Sequence, residues 1–182
     1  MKKITVIGGA GFVGTSLCRL LESKGIPFEI LDLKQSGNFP EHSKIVDIRS
    51  LDVLKGAITG DIIIHLAAVH RDDVRDKYEY THTTVIGTQN VIQSAIARNV
   101  DKIIFTSSVA VYGFVETKTD ETGAINPANE YGQTKFKAEQ FLHKWYADAP
   151  GQRSLFIIRP TVIFGEGNRG NVYNLLRQIN SG

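Results

Sequence analysis

The sequence predicts a doubly wound parallel α/β sheet, and three observations predict it. Short Ile- and Val-rich runs alternate with longer mixed segments. The runs are unbroken, as suits strands covered on both faces. A glycine-rich turn follows the first run directly and opens a helix-compatible stretch. The expected strands are Ile4–Ile7, Phe28–Leu31, Lys44–Val46, Ile62–His65, Lys102–Phe105 and Leu155–Ile158. Segments beginning at Phe12, Ser50, Asp72 and Glu130 read as helices or helical crossovers, the connections that parallel neighbours require. The most loop-like stretch is Phe114–Asn129, with its Thr, Asp, Gly, Asn and Pro127. No internal repeat, low-complexity tract or interdomain linker interrupts the pattern.

Composition narrows the class further. A chain of 182 residues, 42 % hydrophobic and 22 % charged, supports one globular core and excludes disordered, collagen-like and coiled-coil readings. Its 21 Lys+Arg against 19 Asp+Glu leave +2 without a basic run, so no nucleic-acid partner is expected. The lone Cys18 forms no internal disulfide, and no Cys/His cluster has metal-ligand spacing, so no metal is expected. The apolar run Ile4–Ile7 is too short for a signal-peptide core, and no stretch approaches a membrane span. These features favour a reducing cytoplasm.

The first candidate site is the turn Gly8-Gly9-Ala10-Gly11-Phe12-Val13-Gly14, between the first strand and the run Thr15–Ser23. Glycine permits a tight turn and lets backbone N–H groups approach a pyrophosphate, which the helix N-terminus also attracts. Two registers fit, Gly9-x-Gly11-x-x-Gly14 and Gly8-x-x-Gly11-x-x-Gly14. At the end of the second strand, Asp32 is placed to accept hydrogen bonds from an adenosine ribose, which favours NAD. Lys34 nearby keeps NADP open, although Asp32 repels its phosphate.

Ligands of open α/β sheets lie beyond the carboxyl ends of the strands, and unusual residues gather at those ends here. They are Asp47-Ile48 after the third strand, Leu66-Ala67-Ala68 after the fourth, Ser107-Ser108 after the fifth and Pro160-Thr161 after the sixth. Small Ala67 and Ala68 leave room for a cofactor. Asp47 either reaches an adenine amino group or caps a helix starting near Ser50. Tyr131 and Lys135 share one face of the expected helix, where an ammonium favours the ionised phenol and makes the tyrosine a usable general base. Lys135 also suits a nicotinamide ribose. A serine hydroxyl at the neighbouring strand end can orient a substrate oxygen toward that tyrosine.

These residues resemble the extended short-chain dehydrogenase/reductase family, in its NAD-dependent nucleotide-sugar epimerase/dehydratase branch with a Rossmann fold. The matching motifs are Gly8-x-x-Gly11-x-x-Gly14, Asp32, Asp47-Ile48, His65-Leu66-Ala67-Ala68, Ser107 through Gly113, Tyr131 through Lys135, and Arg159 through Gly165. The resemblance implies Ser108 as catalytic hydroxyl, with Ser107 the fallback, Tyr131 as acid/base and Lys135 as its partner. It implies a cofactor site of Gly8, Gly11, Phe12, Val13, Gly14, Asp32, Asp47, Ile48, Leu66, Ala67, Ala68, Ser107, Tyr131, Lys135 and Pro160. Tyr131 takes a proton from a sugar hydroxyl while the carbon passes hydride to NAD, and the keto-sugar then receives the hydride on its other face.

Departures from the family pattern shape the expectation. Val109-Ala110 stand where the dehydratases carry Asp-Glu, which counts against dehydration. Thr84 and Val162 stand where members often carry Asn. The resemblance implies a Rossmann domain over residues 1–165 and, over 166–182, the start of a smaller substrate domain mostly absent from this chain. It also implies a homodimer through segments around Tyr80–Ala97 and Tyr131–Tyr146. The leading expectation is a nucleotide-sugar 4-epimerase. An NADP-dependent keto-sugar reductase, a dehydratase and a non-catalytic NAD-binding module are the alternatives. His65, Phe141, Trp145 and Tyr146 read as packing residues. His70, Arg71, Asp72 and Asp73 either line the substrate side or open a solvated helix.

Overall fold

A computed structural model describes residues 1–69, 78–116, 118–168 and 170–181. Six parallel strands form one sheet in the order β3-β2-β1-β4-β5-β6. They are β1 (Ile4–Ile7), β2 (Phe28–Asp32), β3 (Ser43–Ile45), β4 (Ile62–His65), β5 (Lys102–Thr106) and β6 (Ser154–Ile158). All six expected strands are present, and the order reverses between β1 and β4, the crevice where such sheets take their ligands. The third strand starts one residue earlier than expected and exposes Lys44 and Ile45, because it is an edge strand rather than a buried one.

Side chains alternate across the sheet, and each face gathers its own core. Ile7, Leu31, Ile63, Ile103 and Phe105 meet α2 (Leu51–Ala57), α4 (Gly87–Ala97) and α5 (Glu130–Ala147) through Leu54, Val91, Ala138, Leu142 and Trp145. Val6, Ile30 and Ile64 meet Cys18 and Leu21 of α1 (Phe12–Ser23). That helix begins on Phe12, as expected of the segment, and runs through the helix-compatible stretch Thr15–Ser23. Coverage of both faces fails at the other edge as well: α1 lies over the β1–β2–β4 side, and Phe156 and Ile158 of β6 are exposed. The crossover expected from Asp72 begins outside the described residues, as do His70, Arg71 and Asp73. Its described part runs from α3 (Tyr78–Tyr80) through one π-helical stretch (Thr81–Ile86) into α4. Among the described residues, no helix is long and apolar enough to cross a membrane. A last helix, α6 (Asn171–Ser181), leaves Tyr173, Leu175, Leu176 and Ile179 exposed.

Candidate functional site

The glycine turn is dictated by backbone crowding. Gly8 has φ +82°, and a Cβ there would stand 2.6 Å from the Ala67 amide nitrogen, so only glycine lets the ends of β1 and β4 meet. A Cβ on Gly14 would lie 2.5 Å from the Gly9 Cα, so α1 can start this close to the strand only without a side chain. Gly11 is the N-cap of α1 and offers no side-chain cap, and the first turn carries no acid. Its amide groups therefore keep their capacity for an anion. Phe12 and Val13 open this turn, half-buried and exposed respectively. Asp32 ends β2 and steadies the loop: Oδ2 accepts from the Ala10 amide at 3.0 Å and Oδ1 from the Lys34 amide at 3.2 Å.

Asp47 and buried Ile48 follow β3. The Asp47 carboxylate is gripped by its neighbour Arg49, whose Nη2 lies 2.6 Å from Oδ2 and whose Nε lies 2.9 Å from both oxygens. This guanidinium holds the carboxyl below its usual range. Neither the loop nor the carboxylate caps α2, whose N-cap is Ser50. Asn90 of α4 donates to the carbonyls of Ile48 and Arg49 and pins the loop to the helix layer. Half-buried Leu66, Ala67 and Ala68 follow β4, and the Pro160 carbonyl accepts the Val109 amide, joining the end of β6 to the turn after β5.

That turn carries both serines. Ser107 is buried with its hydroxyl unpartnered, and its amide donates to the Ile158 carbonyl at 2.7 Å. Ser108 is the N-cap of a 3₁₀ turn, Val109–Tyr112, and its Oγ accepts the Ala110 amide at 3.1 Å, which leaves the hydroxyl proton free to donate. Facing this turn, α5 starts at Asn129, whose side chain accepts the Gly132 amide. A Cβ on Gly132 would collide with the Ala110 carbonyl, so the helix carrying Tyr131 and Lys135 and the turn carrying Ser108 are in direct contact.

Lys135 is wholly buried. Its Nζ donates to the Thr106 carbonyl at 2.7 Å, lies 4.8 Å from the centre of the Phe105 ring and 5.9 Å from that of Tyr131. Burial brings its pKa down to about 7, opposed by the charge of Glu139. Burial thus weakens the ammonium beside the phenol, an effect that the spacing alone does not suggest. His65 is packed, as expected of it: Nε2 lies 3.1 Å from the Thr88 hydroxyl, which itself donates to the Thr84 carbonyl, and the ring meets Phe105. Burial first, then the charge of Lys135, lowers its pKa to about 3 and keeps it neutral. The Thr84 hydroxyl is buried without a partner, and Val162, at the other departed position, is exposed. Trp145 is core, whereas Tyr146 is exposed.

Sequence reasoning gave no role to Arg159, Glu139 or Tyr112. Arg159, directly after β6, grips both oxygens of the fully buried Glu139, and its Nη1 donates to the Tyr112 hydroxyl. One signal was present: Glu139 lies one helical turn beyond Lys135, a carboxylate on the face that packs inward.

The chain matches the model of the NAD dependent epimerase/dehydratase family over residues 4–182. It belongs to that family. The N-acetyl-alpha-D-glucosaminyl-diphospho-ditrans,octacis-undecaprenol 4-epimerase of Escherichia coli O157:H7 is 50 % identical over 98 % of this chain and 54 % of its own length. The UDP-glucose 4-epimerase of Halalkalibacterium halodurans is 32 % identical over 81 % of this chain and 47 % of its own length. The chain spans about half the length of these relatives. Among solved structures, the Brucella ovis UDP-glucose 4-epimerase in complex with NAD superposes with a TM-score of 0.78 at 30 % identity, covering 87 % of this chain and 51 % of that one. A short-chain dehydrogenase/reductase superfamily protein from Agrobacterium tumefaciens with bound NAD gives 0.79 at 27 %, covering 86 % and 48 %. The resemblance read from the motifs therefore holds.

The residues fit a dinucleotide on the chain's own evidence. The uncapped turn of α1 suits a pyrophosphate, the Ser107 hydroxyl is buried without a partner, and the Lys135 ammonium makes one hydrogen bond among the described residues, to the Thr106 carbonyl.

Proposed function

We propose that this chain carries the cofactor-binding and acid/base machinery of an NAD-dependent 4-epimerase whose substrate is a hexose linked through a diphosphate. The observation that carries the reading is Lys135, buried beside the Tyr131 ring, with one backbone carbonyl among the described residues to meet its three N–H groups. Bound NAD supplies a hydride acceptor and donor. Gly8 to Gly14, Asp32, Asp47-Ile48, Leu66 to Ala68 and Pro160 line its path along the strand ends, and Asp32 selects NAD over NADP by repelling a ribose phosphate. Tyr131 takes the proton of the sugar 4-hydroxyl and returns it after the keto-sugar has turned over. Lys135 stabilises the phenolate, and Ser108 donates to the substrate oxygen as its charge changes.

The sugar carrier follows one of two chemistries. A nucleoside diphosphate is the one expected from the motifs and carried by the UDP-glucose epimerases among the relatives. A polyprenyl diphosphate is favoured by the 50 % identical relative and agrees with exposed apolar Val162 in place of a nucleotide-recognising Asn. A chain extended to the length of the relatives, given UDP-N-acetylglucosamine or the polyprenyl-diphosphate sugar, is expected to convert one of them to its 4-epimer. Conversion of neither refutes epimerisation. Full function retained by Tyr131→Phe would instead favour a non-catalytic NAD-binding module. Val109-Ala110 disfavour dehydration, and tighter NADPH than NADH binding would favour a reductase.

The domain division at residue 165 belongs to the same reading, as does a homodimer in the cytoplasm. A groove of about 200 Å³ between α4 and α5, lined by Gln89, Ile92, Ile96, Phe141, Lys144 and Trp145, is its interface. Sedimentation of a monomer at micromolar concentration would refute the dimer.

A further inference from the structure

We propose that Arg159 is a positioning residue for the Tyr131–Lys135 pair, its guanidinium holding the helix that bears them against the turn that bears Ser108 and shaping the field at Lys135. The inference rests on the acid/base roles proposed above.

Glu139 lies one turn after Lys135 in α5 and is fully buried. A carboxylate there is tolerable only if both oxygens are satisfied. Arg159 does this with Nε on Oε1 at 3.0 Å and Nη2 on Oε2 at 2.6 Å. Its remaining nitrogen, Nη1, donates to the Tyr112 hydroxyl at 2.7 Å, with the guanidinium 5.0 Å from the centre of that ring. Tyr112 closes the 3₁₀ turn that Ser108 caps. One cation therefore joins the end of β6, the middle of α5 and the serine turn. A planar fork does this and a lysine does not, because a point charge cannot grip two oxygens and a phenol together.

The same pair acts electrostatically. The charged or titratable groups facing Lys135 are Tyr131 and Glu139 from its own helix and His65 from β4, with the Phe105 ring and Thr106 carbonyl from β5. His65 is held neutral by burial. Glu139 is thus the one anion supporting the ammonium among them, and Arg159 cancels part of its charge. Arg159→Lys keeps a positive charge but gives up the two-oxygen grip on Glu139, which leaves more of the carboxylate's field at Lys135 and favours the Tyr131 phenolate.

The test is the phenolate absorbance of Tyr131, read as the difference between each protein and its Tyr131→Phe counterpart, in the NAD-loaded chain with Arg159 or Arg159→Lys. The expected result is a phenolate midpoint lowered by about half a pH unit or more in Arg159→Lys. Melting temperature should fall by only a few degrees, and NAD affinity should stay within about threefold. In the extended chain, turnover should fall about tenfold or more with KM little changed. A midpoint that stays or rises in folded Arg159→Lys overturns the proposal. Should Arg159→Lys fail to fold, Glu139→Gln keeps the shape of the side chain and removes the anion that supports the ammonium; a Tyr131 midpoint that fails to rise in that variant overturns the proposal equally. Absence of sugar turnover in every protein refutes the epimerase reading and leaves the midpoint comparison intact.

Discussion

Two buried ions, Glu29 on β2 and Lys135 on α5, are treated in opposite ways. Glu29, on β2, is fully satisfied. It accepts from the Thr59 amide at 2.6 Å, the Thr5 and Thr59 hydroxyls at 2.8 Å, and the ammonium groups of Lys44 at 3.0 Å and Lys3 at 3.4 Å. Burial alone would raise its pKa, but these bonds outweigh it and bring the carboxyl down to about 2. Among the described residues Lys135 has one protein acceptor, and burial pushes it the other way, toward its neutral form. A buried ion with every bond made is a rivet. One with a single such bond, to the carbonyl of the residue preceding Ser107, is the kind of position that the proposed cofactor would complete.

The sharpest break of this comparison is at Tyr131. Tyr131→Phe is expected to slow epimerisation by the extended chain about 10²–10⁴-fold, with the melting temperature within about 2 °C of the parent. Loss of stability in place of activity would make the Lys135 site another rivet. Glu29→Gln should do the reverse, costing about 3 kcal/mol in urea denaturation while NAD affinity, followed by calorimetry, stays the same. Acid should act through the same group. A folded carboxyl at about 2 against an ordinary 4.5 stabilises fully above the higher value, and this stability is lost as pH falls from 4.5 toward 2. An acid transition unaltered by Glu29→Gln would contradict that role.

Smaller effects sharpen the contrast at the cofactor edge. Asp32→Asn should weaken NAD⁺ binding about tenfold and narrow its preference over NADP⁺, as titration calorimetry would show; an unchanged preference would remove Asp32 from the selection. Arg49→Ala breaks a solvent-facing ion pair with Asp47 and should cost less than about 1 kcal/mol of stability. A larger loss would place Asp47 with Glu29 among the structural ions.

Much of this was legible in the chain because it is local. The short Ile- and Val-rich runs mark all six strands, and Gly8 and Gly14 mark the turn that a Cβ would block. The segment from Glu130 reads as a helix and is one, with Tyr131 and Lys135 in the first turns of α5. Other features were not legible. Run composition cannot tell that β3 is an edge strand or that α1 stops short of β6, because coverage depends on where distant helices land. The grip of Arg49 on Asp47 competes with a more familiar reading of that aspartate, and spacing does not choose between them.

By itself the sequence determined the alternation of strands and helices, the glycine turn and the set of polar residues at the strand ends. Each follows from backbone geometry over a few consecutive residues. Only the tertiary structure decided which charges are spent and which remain available. Glu29 finds Thr5, Lys44 and Thr59 across three parallel crossovers, and Glu139 finds Arg159 only because β6 passes beside α5. The burial that moves Lys135 toward neutrality is likewise supplied by β5. Desolvation and long-range hydrogen bonds arise from packing, and packing sums contributions that no local window of the chain contains.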